Sequence, residues 1–281
     1  MSATLPDDGE CQLGAVRLPP GKRILAGYGS GGPVAWATID AVPGPGRVWQ
    51  ALSDMAPDNG LVPFLLDSLD VTSRPWDDGE FNDPADLSPL SGIDAGDLLA
   101  SMWRGEMGYE DEPGLGGDDF DNDYGDDEDE FDEEFAEMIA PFSRQFPGLA
   151  PAVDQQLSAQ EIQRALDSLR SARIGLAVAS RPADVLPSIG WDGACNWTSD
   201  ALPIAAVLRS WEERFGATLL TIGFAEIQLL AHRPPRTRQA AQLLAAEQFA
   251  FCDECAGKGL HDVSSITDHL LRSPIWTFWW D

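Results

Sequence analysis

Between Glu110 and Glu137 the sequence carries 16 acidic residues and not one lysine or arginine. Like charges at that density repel one another and offer a core nothing to gather around. The stretch is therefore expected to be a solvated, disordered segment, and the fold must be assembled from what flanks it. Phe120, Tyr124, Phe131 and Phe135 are interleaved with the acids, which distinguishes the stretch from a plain charged spacer. Three parts follow: an N-terminal α+β region over 1–106, an acidic, largely disordered linker over 107–157, and a C-terminal α+β domain over 158–281.

Charge follows the same division. Residues 1–108 hold 6 basic and 16 acidic side chains, 109–153 hold 1 and 16, and 154–281 hold 11 and 15. Half of the net −29 thus sits in the middle part. Nucleic acid and anionic membranes repel such a chain, and a basic protein is its natural partner. The first residues lack the basic flank and apolar run of a secretory signal. No apolar run approaches the ~18 residues that would span a bilayer. Four cysteines among 281 residues do not suggest a disulfide framework. A cytoplasmic, reduced protein is expected.

The flanks carry regular patterns. Arg23–Ala26 and Val34–Ile39 read as strands joined through the glycine-rich Gly27–Pro33. A helix is expected from about Gly46, turning Val48, Trp49 and Leu52 inward, and the apolar run Leu61–Leu66 follows it. Asp97 to Trp103 has helical spacing. Ser158-Ala159-Gln160-Glu161 is a capping-box pattern heading a helix with Ile162, Ala165, Leu166 and Leu169 on one face. Ile174–Ala179 reads as a strand, and a short helix from Arg181-Pro182 carries Val185, Leu186 and Ile189. The clearest helix starts at Asp200, repeats Ile204, Val207, Leu208, Trp211 and Phe215, and stops at Gly216. Thr218–Ile222 and Glu226–Ala231 form a strand pair around Gly223-Phe224-Ala225. Thr237 caps a helix to Phe251, Ser264–Leu271 is helical, and the aromatic Ile275–Trp280 favours a strand. The fold class is α+β, with a mixed or antiparallel sheet and packed helices in the C-terminal domain and a β-rich N-terminal region.

The chemical motifs are weak. Cys252-Asp253-Glu254-Cys255-Ala256-Gly257-Lys258-Gly259 matches half of a zinc module, but a structural zinc needs four ligands and no second pair exists, so no metal is expected. Asp119, Asp121, Asp123, Asp127 and Glu130 fall at calcium-loop spacing, with Tyr124 where the loop needs glycine. Gly27–Gly32 lacks the lysine and following helix of a phosphate loop and reads as a hairpin connection. His232, His261 and His269 stand in no recognisable nucleophile–base setting. Glu212 and Glu213, adjacent on a helix, read as a solvated surface. Arg233, Arg236 and Arg238 form a basic cluster that could dock the acidic stretch. Trp276, Phe278 and Trp280 share one strand face, which reads as an aromatic core strand before an aromatic binding surface.

Several strings resemble a bacterial family of uncharacterised proteins, domain of unknown function 4253. They are Ala206–Ala217, Arg233–Thr237, Glu247–Cys252 and Trp276–Asp281, with Gly60–Leu66, Trp103–Glu106 and Pro147–Pro151 upstream. The resemblance implies no activity and no cofactor. It also implies an Asn-like residue where Cys255 stands, which argues further against zinc. An acidic stretch is typical of the proteins it resembles.

Two function classes remain. One is a protein-interaction module, regulatory or immunity-like in kind, that presents the acidic arm to a basic partner. The other is an enzyme whose site is assembled from Arg104, Glu106, Glu212, Arg214 and Asp281, polar residues in the matching strings whose identity core packing does not explain.

Overall fold

The computed structural model describes residues 3–29, 31–67, 76, 81–104, 135–195, 197–198, 200–252 and 260–280. Residues 107–134 of the expected disordered linker, the calcium-loop pattern and Cys255 lie outside the described residues, whereas 135–157 of that linker are described and bury Ile139 and Ala150 in the core.

The strands are β1 (Gly9–Leu13), β2 (Val16–Leu25), β3 (Pro33–Thr38), β4 (Leu61–Leu66), β5 (Arg173–Val178), β6 (Ala217–Ile222), β7 (Glu226–Ala231) and β8 (Ile275–Trp279). They form one mixed sheet in the order β1-β2-β3-β5-β4-β6-β7-β8, so the fold is α+β as expected. Every neighbouring pair is antiparallel except β4 and β6, which run parallel through Leu65↔Thr221 and Leu66↔Ile222. β5, from beyond the acidic stretch, pairs with both β3 and β4, from before it. One sheet thus takes strands from both flanks. β4 is buried along its whole length and β5 is buried from Ile174 to Ala177, the pattern of strands covered on both faces. A Cβ at Gly175 would lie 2.3 Å from the ring of Phe64, its partner in the β4–β5 register. Glycine is what lets that ring cross the neighbouring strand.

Among the described residues the helices of eight residues or more are α1 (Pro45–Ser53), α2 (Ala95–Trp103), α3 (Ala159–Asp167), α4 (Ala201–Phe215), α5 (Arg238–Phe251) and α6 (Val263–Leu270), with shorter turns of helix between. On one face of the sheet α2, α4, α5 and α6 enclose a core with Phe64, Leu219, Leu229, Trp276 and Phe278. Trp211 of α4 stacks on Phe278 at 5.2 Å and meets Trp276 edge-on at 5.9 Å. Trp276 and Phe278 are fully buried and Trp280 nearly so, so the terminal aromatic string is a core strand. On the other face α1 packs on β2, β4 and β5, and α3 packs on α1. Trp36, Trp49, Leu65, Leu166 and Leu176 fill that smaller core. The capping box at Ser158 and Glu161 is formed on both sides. Gly216 ends α4 in the left-handed region, at φ 59°, a conformation that costs glycine little. The glycine-rich segment 26–32 joins the antiparallel pair β2 and β3, as a hairpin connection should.

The flanks of the acidic stretch are rooted together. Trp103, at the end of α2, contacts Phe142, Phe146 and Phe249 with ring centroids 5.8–6.5 Å apart. Phe135, where the described chain resumes, also meets Phe249, at 6.3 Å.

Candidate functional site

Glu212 and Arg214 are two residues apart on α4, a spacing that points side chains away from each other. Glu212 faces the turn that follows β5. Its carboxylate takes Arg181 Nε at 3.2 Å and the Ala183 backbone N–H at 3.1 Å. Beneath it Asp184, wholly buried, accepts Arg209 Nε at 2.7 Å and Ser180 Oγ at 3.0 Å. The hydrogen bond it donates to Asp184 holds the Arg209 guanidinium more firmly protonated. Burial pushes the Glu212 carboxyl above its ordinary value, and Arg181 pulls against that rise. Glu213 is exposed, as a solvated surface requires, but Glu212 is not. The signal missed was Arg181, which is adjacent only in the fold.

Arg214 faces the opposite way, toward α5. Glu247 there is wholly buried and accepts four hydrogen bonds: Arg214 Nη1 at 2.8 Å and Nη2 at 2.6 Å, Trp211 Nε1 at 2.8 Å, and the Ala150 N–H at 2.6 Å. Arg214 also donates to the Ala150 carbonyl at 2.9 Å. This clamp holds the chain at Ala150, and both oxygens of Glu247 find their donors within the protein. Sequence reasoning marked Arg214 but not Glu247, whose position in the apolar α5 gave no hint of an ion pair.

Arg104 is exposed just past α2. Glu106 and Asp281 lie outside the described residues. Of the basic cluster, Arg233 donates to the Glu213 carbonyl at the end of α4 at 2.7 Å, and Arg238 pairs with Asp268 at 2.8 Å. Cys252 is buried, with its thiol on the Trp279 carbonyl at 3.1 Å. Among the described residues no three His, Cys, Asp or Glu side chains gather as a metal centre.

A further polar feature among the described residues is a pocket at the β7–β8 end of the sheet. It has a cavity volume of about 90 Å³ and is lined by Asp67, Thr221, Gly223, Glu226 and Trp279 among others. Parallel pairing of β4 with β6 carries Asp67 to this end, where its N–H bonds the Ile222 carbonyl at 3.1 Å. Register places Glu226 opposite Trp279. Thr221 Oγ1 donates to Gln228 Oε1 at 3.2 Å, and Gln228 Nε2 donates to Glu226 Oε1 at 3.0 Å. The turn beneath is held by two hydrogen bonds. Gly223 N–H bonds the Glu226 carbonyl at 2.7 Å, and the Gly223 carbonyl takes Trp191 Nε1 at 3.0 Å. Burial first, and the neighbouring Asp67 second, push the Glu226 carboxyl above its ordinary value.

Fold and site define an α+β protein on one eight-stranded mixed sheet, with internal ion pairs bracing α4 and an acidic pocket at the sheet's end. Residues 173–281 match the family model described as Domain of unknown function (DUF4253), and this part of the chain carries a domain of that family. No curated protein and no solved structure matches the chain. The matched span begins at β5 and includes α4, the Glu247 clamp and Glu226, whereas Asp67 comes from outside it. Among the described residues no helix is long and apolar enough to cross a membrane.

Proposed function

We propose that the chain is a cytoplasmic protein-interaction module, regulatory or immunity-like in kind, that engages a basic protein through the acidic stretch Glu110–Glu137. The observation that carries this reading is the charge run itself, 16 acids without a basic residue. Its flanks support the same reading: Trp103 before the stretch and Phe135 within its end are both held against Phe249. The same charge disfavours nucleic acid as a partner. The enzyme alternative draws less support, because Glu212 and Arg214 face apart and each is occupied by internal partners.

The test is co-purification, comparing the full chain with one lacking 110–134, which leaves Phe135 in place. A basic protein retained by the full chain and lost on deletion is the expected result. Equal retention by both chains would sink the reading.

A further inference from the structure

The carboxylates that this fold withdraws from water are matched almost one for one. Among the described residues Asp184 has Arg209, Glu212 has Arg181, Glu247 has Arg214 and Asp268 has Arg238. Glu161 and Asp262, also partly withdrawn, cap the N-termini of α3 and α6, where backbone N–H groups favour negative charge. Glu226 breaks the pattern. Its hydrogen-bond donor is the neutral amide of Gln228, and the charged group nearest in effect is the carboxylate of Asp67. A half-buried carboxylate beside the exposed carboxylate of Asp67 is disfavoured as the anion, and a cation brought from outside would relieve it.

The pocket supplies what such a completion needs. Its cavity of about 90 Å³ is the size of a side-chain head group rather than of a cofactor. The chain of donors from Thr221 through Gln228 fixes one oxygen of Glu226, so its orientation is set before a ligand arrives. Trp279 adds an indole to the wall, the aromatic group with the greatest attraction for cations. Two carboxylates and an indole around a small cavity recognise an organic cation, and three-ligand metal chemistry is not assembled there.

We propose that the pocket of Asp67, Thr221, Gly223, Glu226 and Trp279 receives the cationic head of a lysine or arginine side chain presented by a protein partner. The inference stands on the pocket alone and does not depend on the acidic stretch.

The test is a titration of the full chain, followed by the ¹H–¹⁵N resonance of the Trp279 indole, assigned by Trp279→Phe. The probes are acetyl-Gly-Lys-Gly-amide, its arginine counterpart, its norleucine counterpart and free butylammonium. A saturable shift with the lysine or arginine peptide, weakened at least tenfold in Glu226→Gln and in Asp67→Asn, is expected. Glu226→Gln should also melt no lower than the parent, because it removes an unmatched buried charge. A variant that binds as the parent does, or a norleucine peptide that binds equally, overturns the proposal. Butylammonium binding as tightly as the peptides overturns the assignment to a protein partner. A Glu226→Gln chain that melts well below the parent overturns it too, since Glu226 would then be a structural ion.

Discussion

The clamp around Glu247 gives the most exacting test of the structure. Glu247→Gln keeps the shape and one acceptor oxygen but removes the charge. The guanidinium of Arg214, only 15% exposed, is left without its counter-ion. Breaking a buried pair from one side in this way costs about 3–5 kcal/mol. Unfolding entropy of about 2.1 cal/mol/K per residue gives roughly 0.6 kcal/mol/K for a chain of this length, so the expected fall in Tm is about 5–8 °C. Calorimetry at pH 7 reads that directly. Arg214→Leu alone should cost a similar amount, since it leaves a buried carboxylate with only Trp211 and Ala150 as donors. The double variant Arg214→Leu/Glu247→Leu should cost less than the sum, because neither charge is then stranded, and the cycle isolates the coupling. A fall under 1 °C for Glu247→Gln, or strictly additive single effects, would refute the reasoning.

Three further outcomes follow from the same geometry. Burial first, and Arg233 second, hold the His232 imidazole below its ordinary value of 6.5; the unfolded chain therefore binds a proton near 6.5 that the folded chain refuses, and stability falls as pH drops from there. Melting curves from pH 7 to 5.5 should show that slope, and His232→Gln should flatten it; an unchanged slope contradicts the assignment. Residues 158–281 expressed alone are expected to lack a cooperative transition, because β5 would lose both β3 and β4 as neighbours; a sharp, native-like melt of that piece would show that it folds by itself. Gly175→Val should destabilise by at least about 1–3 kcal/mol through its clash with Phe64, measured by urea unfolding, and a neutral result would contradict the close crossing.

Local signals carried most of the elements. The Ser158 box, the Thr237 cap, the Gly216 stop and the spacing of Trp211 and Phe215 are decided within a turn or two of helix, and each stands where its pattern put it. β1 was not legible, since Gly-Glu-Cys-Gln-Leu holds no β-branched residue and becomes a strand by pairing with β2 at the sheet's edge. The insertion of β5 between β3 and β4 is a long-range choice that no local pattern encodes. The same limit hid the sites. Glu212 reads as surface until Arg181 is brought to it, and Glu247 reads as a helix filler until Arg214 arrives. Asp67 and Glu226 meet only because β4 and β6 run parallel. What sequence could show without any fold was the acidic stretch, because repulsion is a property of composition alone.

Binding of a basic protein by this stretch is what the proposed function turns on. The direct measurement is the affinity of the co-purified partner for the full chain and for a chain whose acids between 110 and 134 are changed to their amides, from 50 to 300 mM salt. Tight binding that weakens steeply with salt is expected for the parent, and loss of binding with unchanged Tm for the amide chain. Equal, salt-insensitive binding by both chains would contradict it.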